Sequence, residues 1–172
     1  MPSGRLLPTA ALLLAMLAGG LPAPAQAREK NPTQVTGLPV PRFVTLRSGE
    51  VNLRTGPGVR YPVEWVFTRK EMPVEITAEF DTWRRIRDWE GSEGWVHQSM
   101  LSGKRGVIIK GEQRAVRKEP ATDAATVARA QPGVMGWLSK CKGEWCQVDL
   151  KGYKGWLKRG DVWGVYPDEK FE

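Results

Sequence analysis

From residue 41 onward, apolar and polar positions alternate with a period of two. Between residues 41 and 166 no helical period persists beyond about two turns. Arg42-Phe-Val-Thr-Leu-Arg47 predicts a strand, Ser48-Gly49-Glu50 a turn, and Val51-Asn-Leu-Arg54 a returning strand. Thr55-Gly-Pro-Gly58 breaks the alternation into a loop, because Gly and Pro favour backbone angles that a ladder does not use. Pro62-Val-Glu-Trp-Val-Phe67 predicts another strand and Thr68 to Met72 a turn. Pro73 to Glu79 then predicts a longer strand facing Trp83 to Asp88. The pattern is all-β.

One stretch occurs twice. Trp83-Arg-Arg-Ile-Arg-Asp-Trp-Glu-Gly-Ser-Glu-Gly-Trp95-Val-His97 is echoed by Trp145-Cys-Gln-Val-Asp-Leu-Lys-Gly-Tyr-Lys-Gly-Trp156-Leu-Lys158. Each copy reads as a strand opening on Trp, a Gly-bearing turn, and a second strand entered through Gly-Trp-aliphatic. Ile86 in the first copy, and Cys146 and Val148 in the second, alternate onto the face opposite the opening Trp. The Gly before Trp95 and before Trp156 suits a tight turn or bulge where a Cβ would crowd the backbone. The correspondence extends upstream: Leu53-Arg54 matches Val116-Arg117 and Pro57 matches Pro120, all 63 residues apart. It shortens to 62 at Trp83 and Trp145 and to 61 at Trp95 and Trp156, which predicts two loop deletions. Each repeat has about 60 residues, marginal alone, so packing of the two on each other is expected.

Val51-Asn-Leu-Arg-Thr-Gly-Pro-Gly58, Tyr61-Pro-Val63, Trp83 and Gly94-Trp95-Val96-His97 together resemble the bacterial SH3 (SH3b) family. Ala115-Val-Arg117, Pro120, Trp145 and Gly155-Trp-Leu157 resemble it more distantly. The resemblance covers residues 42–166 and implies two tandem small, strongly bent β-barrels of the SH3 type that bind cell-envelope ligands. The second copy departs where Lys118-Glu119 replaces Thr55-Gly56. The expected division is a signal peptide over 1–27, a linker over 28–41, SH3b-like domains over 42–103 and 104–167, and a tail over 168–172.

The signal peptide rests on Arg5, the apolar run Ala10 to Ala18, and Ala25-Gln26-Ala27 as a small-x-small cleavage site after Ala27. Pro8 and Gly19-Gly20 leave that run well short of the roughly 20 residues that span a bilayer. A soluble, exported protein, periplasmic or in the cell envelope, is therefore expected. Arg28 to Pro41 carries three Pro and no sustained period, and reads as a linker.

Charge divides the repeats. Of 172 residues, 26 are Lys or Arg and 19 Asp or Glu, a net charge of +7. Residues 41–103 hold nine of each sign, whereas residues 104–172 hold fourteen basic and nine acidic. The surplus in the second repeat includes Lys140, Lys142, Lys151, Lys154, Lys158 and Arg159. Such residues form either a solvated face or a patch for an anionic polymer or anionic membrane headgroups. An exported chain with no reader motif, half of it neutral, argues against nucleic acid.

Eight tryptophans stand out in so short a chain. Trp95, Trp137 and Trp156 are expected in the barrel cores. Trp83 and Trp145, opposite the aliphatic face of their own strands, are candidates for a platform against sugar rings or peptide; packing at an edge or between repeats is the alternative. Tyr61 and Trp65 are candidates for the same groove in the first repeat, with Lys151, Lys154 and Lys158 as ligand contacts in the second. Arg54 and Arg117 recur at a strand-to-loop junction, where they bond loop carbonyls or touch ligand.

Four residues, Gly143 among them, lie between Cys141 and Cys146, with Ala78 and Arg84 as their expected equivalents in the first repeat. Export favours a disulfide, worth about 2 kcal/mol for so short a loop. A redox dithiol or half a metal site are the alternatives, but no Cys-x-x-Cys spacing is present and the single His, His97, lies in the other repeat. A Cys-His hydrolase would need its own domain and a free thiolate. The sequence thus predicts a binding protein without catalytic residues, metal or cofactor. Its partner would be a cell-wall polymer, peptidoglycan or its peptide stems first, or an envelope protein.

Overall fold

The computed structural model describes Met1 and residues 35–172; the proposed signal peptide and cleavage site lie outside the described residues. The first repeat forms β1 (Arg42–Leu46), β2 (Val51–Arg54), β3 (Val63–Phe67), β4 (Pro73–Phe80), β5 (Trp83–Arg87), β6 (Glu93–His97) and β7 (Leu101–Ser102). The second forms β8 (Gly106–Ile109), β9 (Arg114–Arg117), β10 (Thr126–Ala130), β11 (Met135–Lys142), β12 (Trp145–Leu150), β13 (Tyr153–Lys158) and β14 (Val162–Trp163). A 3-10 turn, Gln98–Met100 or Arg159–Asp161, precedes each last strand.

Each repeat is one seven-stranded antiparallel sheet, and the two ladders have the same order: β3-β2-β6-β5-β4-β1-β7 and β10-β9-β13-β12-β11-β8-β14. No pairing joins the end strands, so the expected barrels are open sheets. The turn at Ser48–Glu50 does not make a hairpin either. β1 pairs with β4 and β7, whereas β2 pairs with β3 and β6. A four-residue strand such as β2 gains its partners from the far side of the sheet, which local pattern does not reveal.

The two deletions fall in turns. Five residues separate β3 from β4, against four between β10 and β11, and five separate β5 from β6, against two between β12 and β13. The register pairs Arg87 with Glu93 but Asp149 with Lys154, so the second hairpin is one residue shorter overall. At its tip Lys151 and Gly152 both have positive φ, 54° and 96°, as a two-residue turn compatible with strand twist requires. Gly94 and Gly155 sit inside strands, so the expected tight turn is replaced by close approach. A Cβ on Gly94 would lie 2.6 Å from Leu53 Cγ, and one on Gly155 2.5 Å from Val116 Cγ1.

Two cores result. Leu46, Val51, Leu53, Val74, Ile76, Ile86 and Val96 lead the first, and Val107, Ile109, Val116, Cys146, Val148 and Leu157 the second. The sheets also touch. Met135 packs on the first core, the Phe43 ring lies 4.8 Å from Trp163 and 4.6 Å from Tyr166, and Tyr166 donates to Glu75 Oε1 at 2.7 Å. Both flanking segments are tied down as well. Thr36 donates from its N and Oγ1 to Glu79, and Phe171 accepts from Cys141 N at 2.7 Å.

Candidate ligand-binding face

Strand alternation places Arg84 and Ile86 inward and Trp83, Arg85 and Arg87 outward; Cys146, Val148 and Leu150 inward and Trp145, Gln147 and Asp149 outward. Trp83 and Trp145 are half-buried on the outward faces. Neither core cluster contains a tryptophan. The assignment of Trp95 and Trp137 to the cores is therefore corrected, whereas Trp156 is buried, at 9% exposure, though outside both clusters. Trp95 lies opposite Arg85, Trp156 opposite Gln147, and Trp137 opposite Asp149, all on outward faces. The physical reason is already in the alternation: Val96 and Leu157 point inward, so the residue before each must point out.

In the first repeat three cross-strand rows form. Phe80, Trp83 and His97 make one, Ala78, Arg85 and Trp95 the next, and Glu75, Arg87 and Glu93 the third. His97 stands edge-on to Trp83, centroids 5.5 Å apart, with Nδ1 2.7 Å from Ser99 Oγ. Arg54, paired with Trp95, donates to the carbonyls of Val59 and Tyr61 at 3.1 and 2.8 Å. Arg117 does the same to Ala124 O at 2.9 Å, so both recurring arginines hold the loop that follows them. Tyr61 lies against Gly56, where a Cβ would sit 2.5 Å from the ring, and Arg60 covers it at 5.3 Å. Its ring is spent on the loop. Trp65 is 59% exposed on the edge strand β3, opposite the inward-facing Leu53. The fold therefore does not bring Trp65 onto the face of Trp83.

In the second repeat the rows are Lys142, Trp145, Lys158; Lys140, Gln147, Trp156; and Trp137, Asp149, Lys154. Lys158 Nζ lies over the Trp145 ring at 5.8 Å, Lys140 Nζ over Trp156 at 5.9 Å, and Lys104 Nζ over Trp137 at 5.5 Å. A groove of about 340 Å³ runs past Trp145 and Lys158 between Arg117, Thr122 and Asp161. Lys151 projects from the hairpin tip, away from the Trp145–Lys158 row, and Arg159 donates to Gly143 O and Tyr166 O.

Cys141 and Cys146 lie directly opposite each other and form a disulfide, with Cys146 fully buried. Their equivalents are corrected from Ala78 and Arg84 to Glu79 and Arg84, since Glu79 lies opposite Arg84 and Phe80 opposite Trp83. The missing residue belongs to the turn before β4, so the β4–β5 hairpin aligns without a gap. Glu79 is 1% and Arg84 3% exposed. Burial pushes the Glu79 carboxyl pKa up, but hydrogen bonds from Thr36 and Arg42 and the Arg42 charge outweigh it and hold it below the ordinary carboxylate range. Among the described residues, no group of three His, Cys, Asp or Glu is placed to hold a metal.

Two copies of one small antiparallel ladder, each with an aromatic outward face, define a tandem SH3-like protein. The sequence profile of the bacterial SH3 domain family matches residues 47–103 and 110–164, and the chain belongs to that family of binding modules. No curated protein matches the chain. Among solved structures, NlpC2 of Trichomonas vaginalis is similar at a TM-score of 0.35 and 9% identity, over 76% of this chain and 50% of that one. NlpC1 of the same organism is similar at 0.35 and 10%, over 74% and 47%. An NlpC/P60 family protein from Bacillus cereus is similar at 0.32 and 12%, over 70% and 55%. The chain thus spans about half the length of these structures.

Proposed function

We propose that the protein is an exported, non-enzymatic binding module for cell-envelope ligands, peptidoglycan or its peptide stems first. One observation carries the reading: Trp83, Trp95 and Trp145 stay out of both cores and stand half-buried on outward faces. Indole rings in that position stack on the C–H faces of sugars or on peptide without leaving a cavity when removed. Membership of a binding-module family and the signal-like N-terminus support the same reading. The disulfide occupies both thiols, and His97 lies in the other repeat, bonded to Ser99. This supports a role without Cys-His catalysis.

A second reading has its own observation. Edge strand β3 leaves Val63, Trp65 and Val66 exposed at 41, 59 and 41%, which fits docking of an envelope protein by strand addition. Co-sedimentation with purified sacculi separates the two. Wild type should pellet with sacculi, and Trp83→Ala/Trp95→Ala should remain in the supernatant while keeping a folded circular-dichroism spectrum. Wild type left in the supernatant overturns the peptidoglycan reading.

A further inference from the structure

The basic surplus of the second repeat is concentrated on one face. On the outward side of β11–β12–β13 stand Lys140, Lys142, Lys154 and Lys158, with Asp149 the one carboxylate among the paired outward positions. All four lysines are exposed. Among the described residues every ion pair uses arginine, and no lysine has a carboxylate within bonding distance. The matching face of the first repeat is neutralised in place: Arg85 pairs with Glu93 at 2.7 Å, and Arg87 pairs with Glu75. An ordinary solvated face would resemble the first; in the second, Trp137 and Lys154 stand where the first has Glu75 and Glu93, and the four lysines occupy positions that hold no cation in the first.

The rings organise those cations. Lys158 and Lys140 lie over Trp145 and Trp156, so two of the exposed ammonium groups have an indole face beside them, at 5.8 and 5.9 Å. Fixed donors lose less rotamer freedom when a ligand arrives. Lys140 and Lys142 are two residues apart on one strand, about 6.6 Å, and Lys142 and Lys158 two strands apart, about 9.6 Å. The cations are spaced by indole edges and by Gln147, so their anions must be carried on a framework that tolerates apolar contact between charges. A pyranose ring with its C–H faces is such a framework; a lipid headgroup layer is not.

We infer that the outward face of β11–β12–β13 is a binding surface for an anionic glycan, a sugar chain bearing carboxylate or phosphate groups at regular intervals. This does not rest on the peptidoglycan reading, which concerns the rings of the first repeat.

The test uses the full chain with five probes: polygalacturonate for carboxylate, phosphomannan for phosphate, neutral dextran, vesicles containing phosphatidylglycerol, and single-stranded DNA. Wild type should bind at least one anionic glycan and neither dextran nor vesicles as tightly. Affinity should fall steeply between about 50 mM and about 500 mM salt, as screening shortens the reach of each charge. Lys140→Gln/Lys142→Gln/Lys154→Gln/Lys158→Gln should weaken glycan binding about tenfold or more. A charge-matched control, Lys70→Gln/Lys110→Gln/Lys118→Gln/Lys170→Gln, should stay within about twofold of wild type. Binding to neither glycan, equal loss in both quadruple variants, or tighter binding to vesicles or to single-stranded DNA overturns the inference. Whichever glycan binds more tightly identifies the anion.

Discussion

The β4–β5 and β11–β12 hairpins have turns of the same length, the same register and the same one-residue bulge, yet are closed at the same place by different chemistry. In the first repeat Glu79 lies opposite Arg84 and draws in Arg42 at 2.6 Å and Thr36. In the second, Cys141 lies opposite Cys146 and the two are covalently joined. A disulfide asks nothing of its surroundings. A buried carboxylate must be matched by donors, and here they come from a strand, a hairpin partner and the segment before β1. The first repeat therefore ties its N-terminal lead to the sheet through Thr36.

That difference can be broken directly, and the largest effect is expected at the buried charge. Glu79→Gln leaves Arg42 and Arg84 without their anion and should cost about 3 kcal/mol, read by urea melts. Cys141→Ala/Cys146→Ala should cost about 2 kcal/mol, and adding reductant should lower wild type by a similar amount while leaving that variant unchanged. Exchange sharpens the comparison: Glu79→Cys/Arg84→Cys sets two thiols at the register that already holds a disulfide. They should oxidise spontaneously, as intact mass after alkylation would show; two alkylated thiols in the variant purified in air without reductant would contradict the equivalence.

Acid should separate the repeats more gently. Glu79 and Glu169 both have carboxyl pKa values held below the ordinary range; at Glu169 burial opposes this, but hydrogen bonds from Arg105 and the Tyr166 backbone prevail. A depressed value means that stability is complete above the unfolded carboxyl's pKa, about 4.3, and is lost as pH falls through the folded value. Wild-type Tm should therefore drop more steeply below about pH 4.3 than that of Glu79→Gln, which keeps only the Glu169 contribution. The smallest effect is expected at the outward rings. Trp83→Ala and Trp145→Ala should each cost about 1 kcal/mol, against about 3–5 kcal/mol for an aromatic in a core. Thermal melts of both variants check this, and a loss in the core range would return those rings to a packing role.

Much of the fold was legible because its period is legible. Alternation alone set the strands of the first repeat to within a residue or two, and the recurrence of Trp83 and Trp95 at Trp145 and Trp156 exposed the tandem plan. The same alternation held the outward placement of Trp95 and Trp156, since Val96 and Leu157 are one residue away. The expectation that aromatics fill cores runs against it at Trp95, whereas Trp156 points outward and is buried all the same. The equivalence of Glu79 with Cys141 was missed for another reason: a one-residue deletion can be placed in any nearby turn until pairing shows which turn is short.

The amino-acid sequence by itself determined the all-β class, the repeat, the family resemblance and the disulfide, because each depends on local spacing or on recurrence along the chain. Tertiary structure decided the rest. Which strands β1 and β2 join, which carboxylates neutralise Arg85 and Arg87, and which lysines rest on which rings all follow from neighbours across a sheet. Charge counting located a surplus of cations in residues 104–172. Only the register, pairing residues far apart in sequence, set Lys142 and Lys158 on either side of Trp145 and left them without anions.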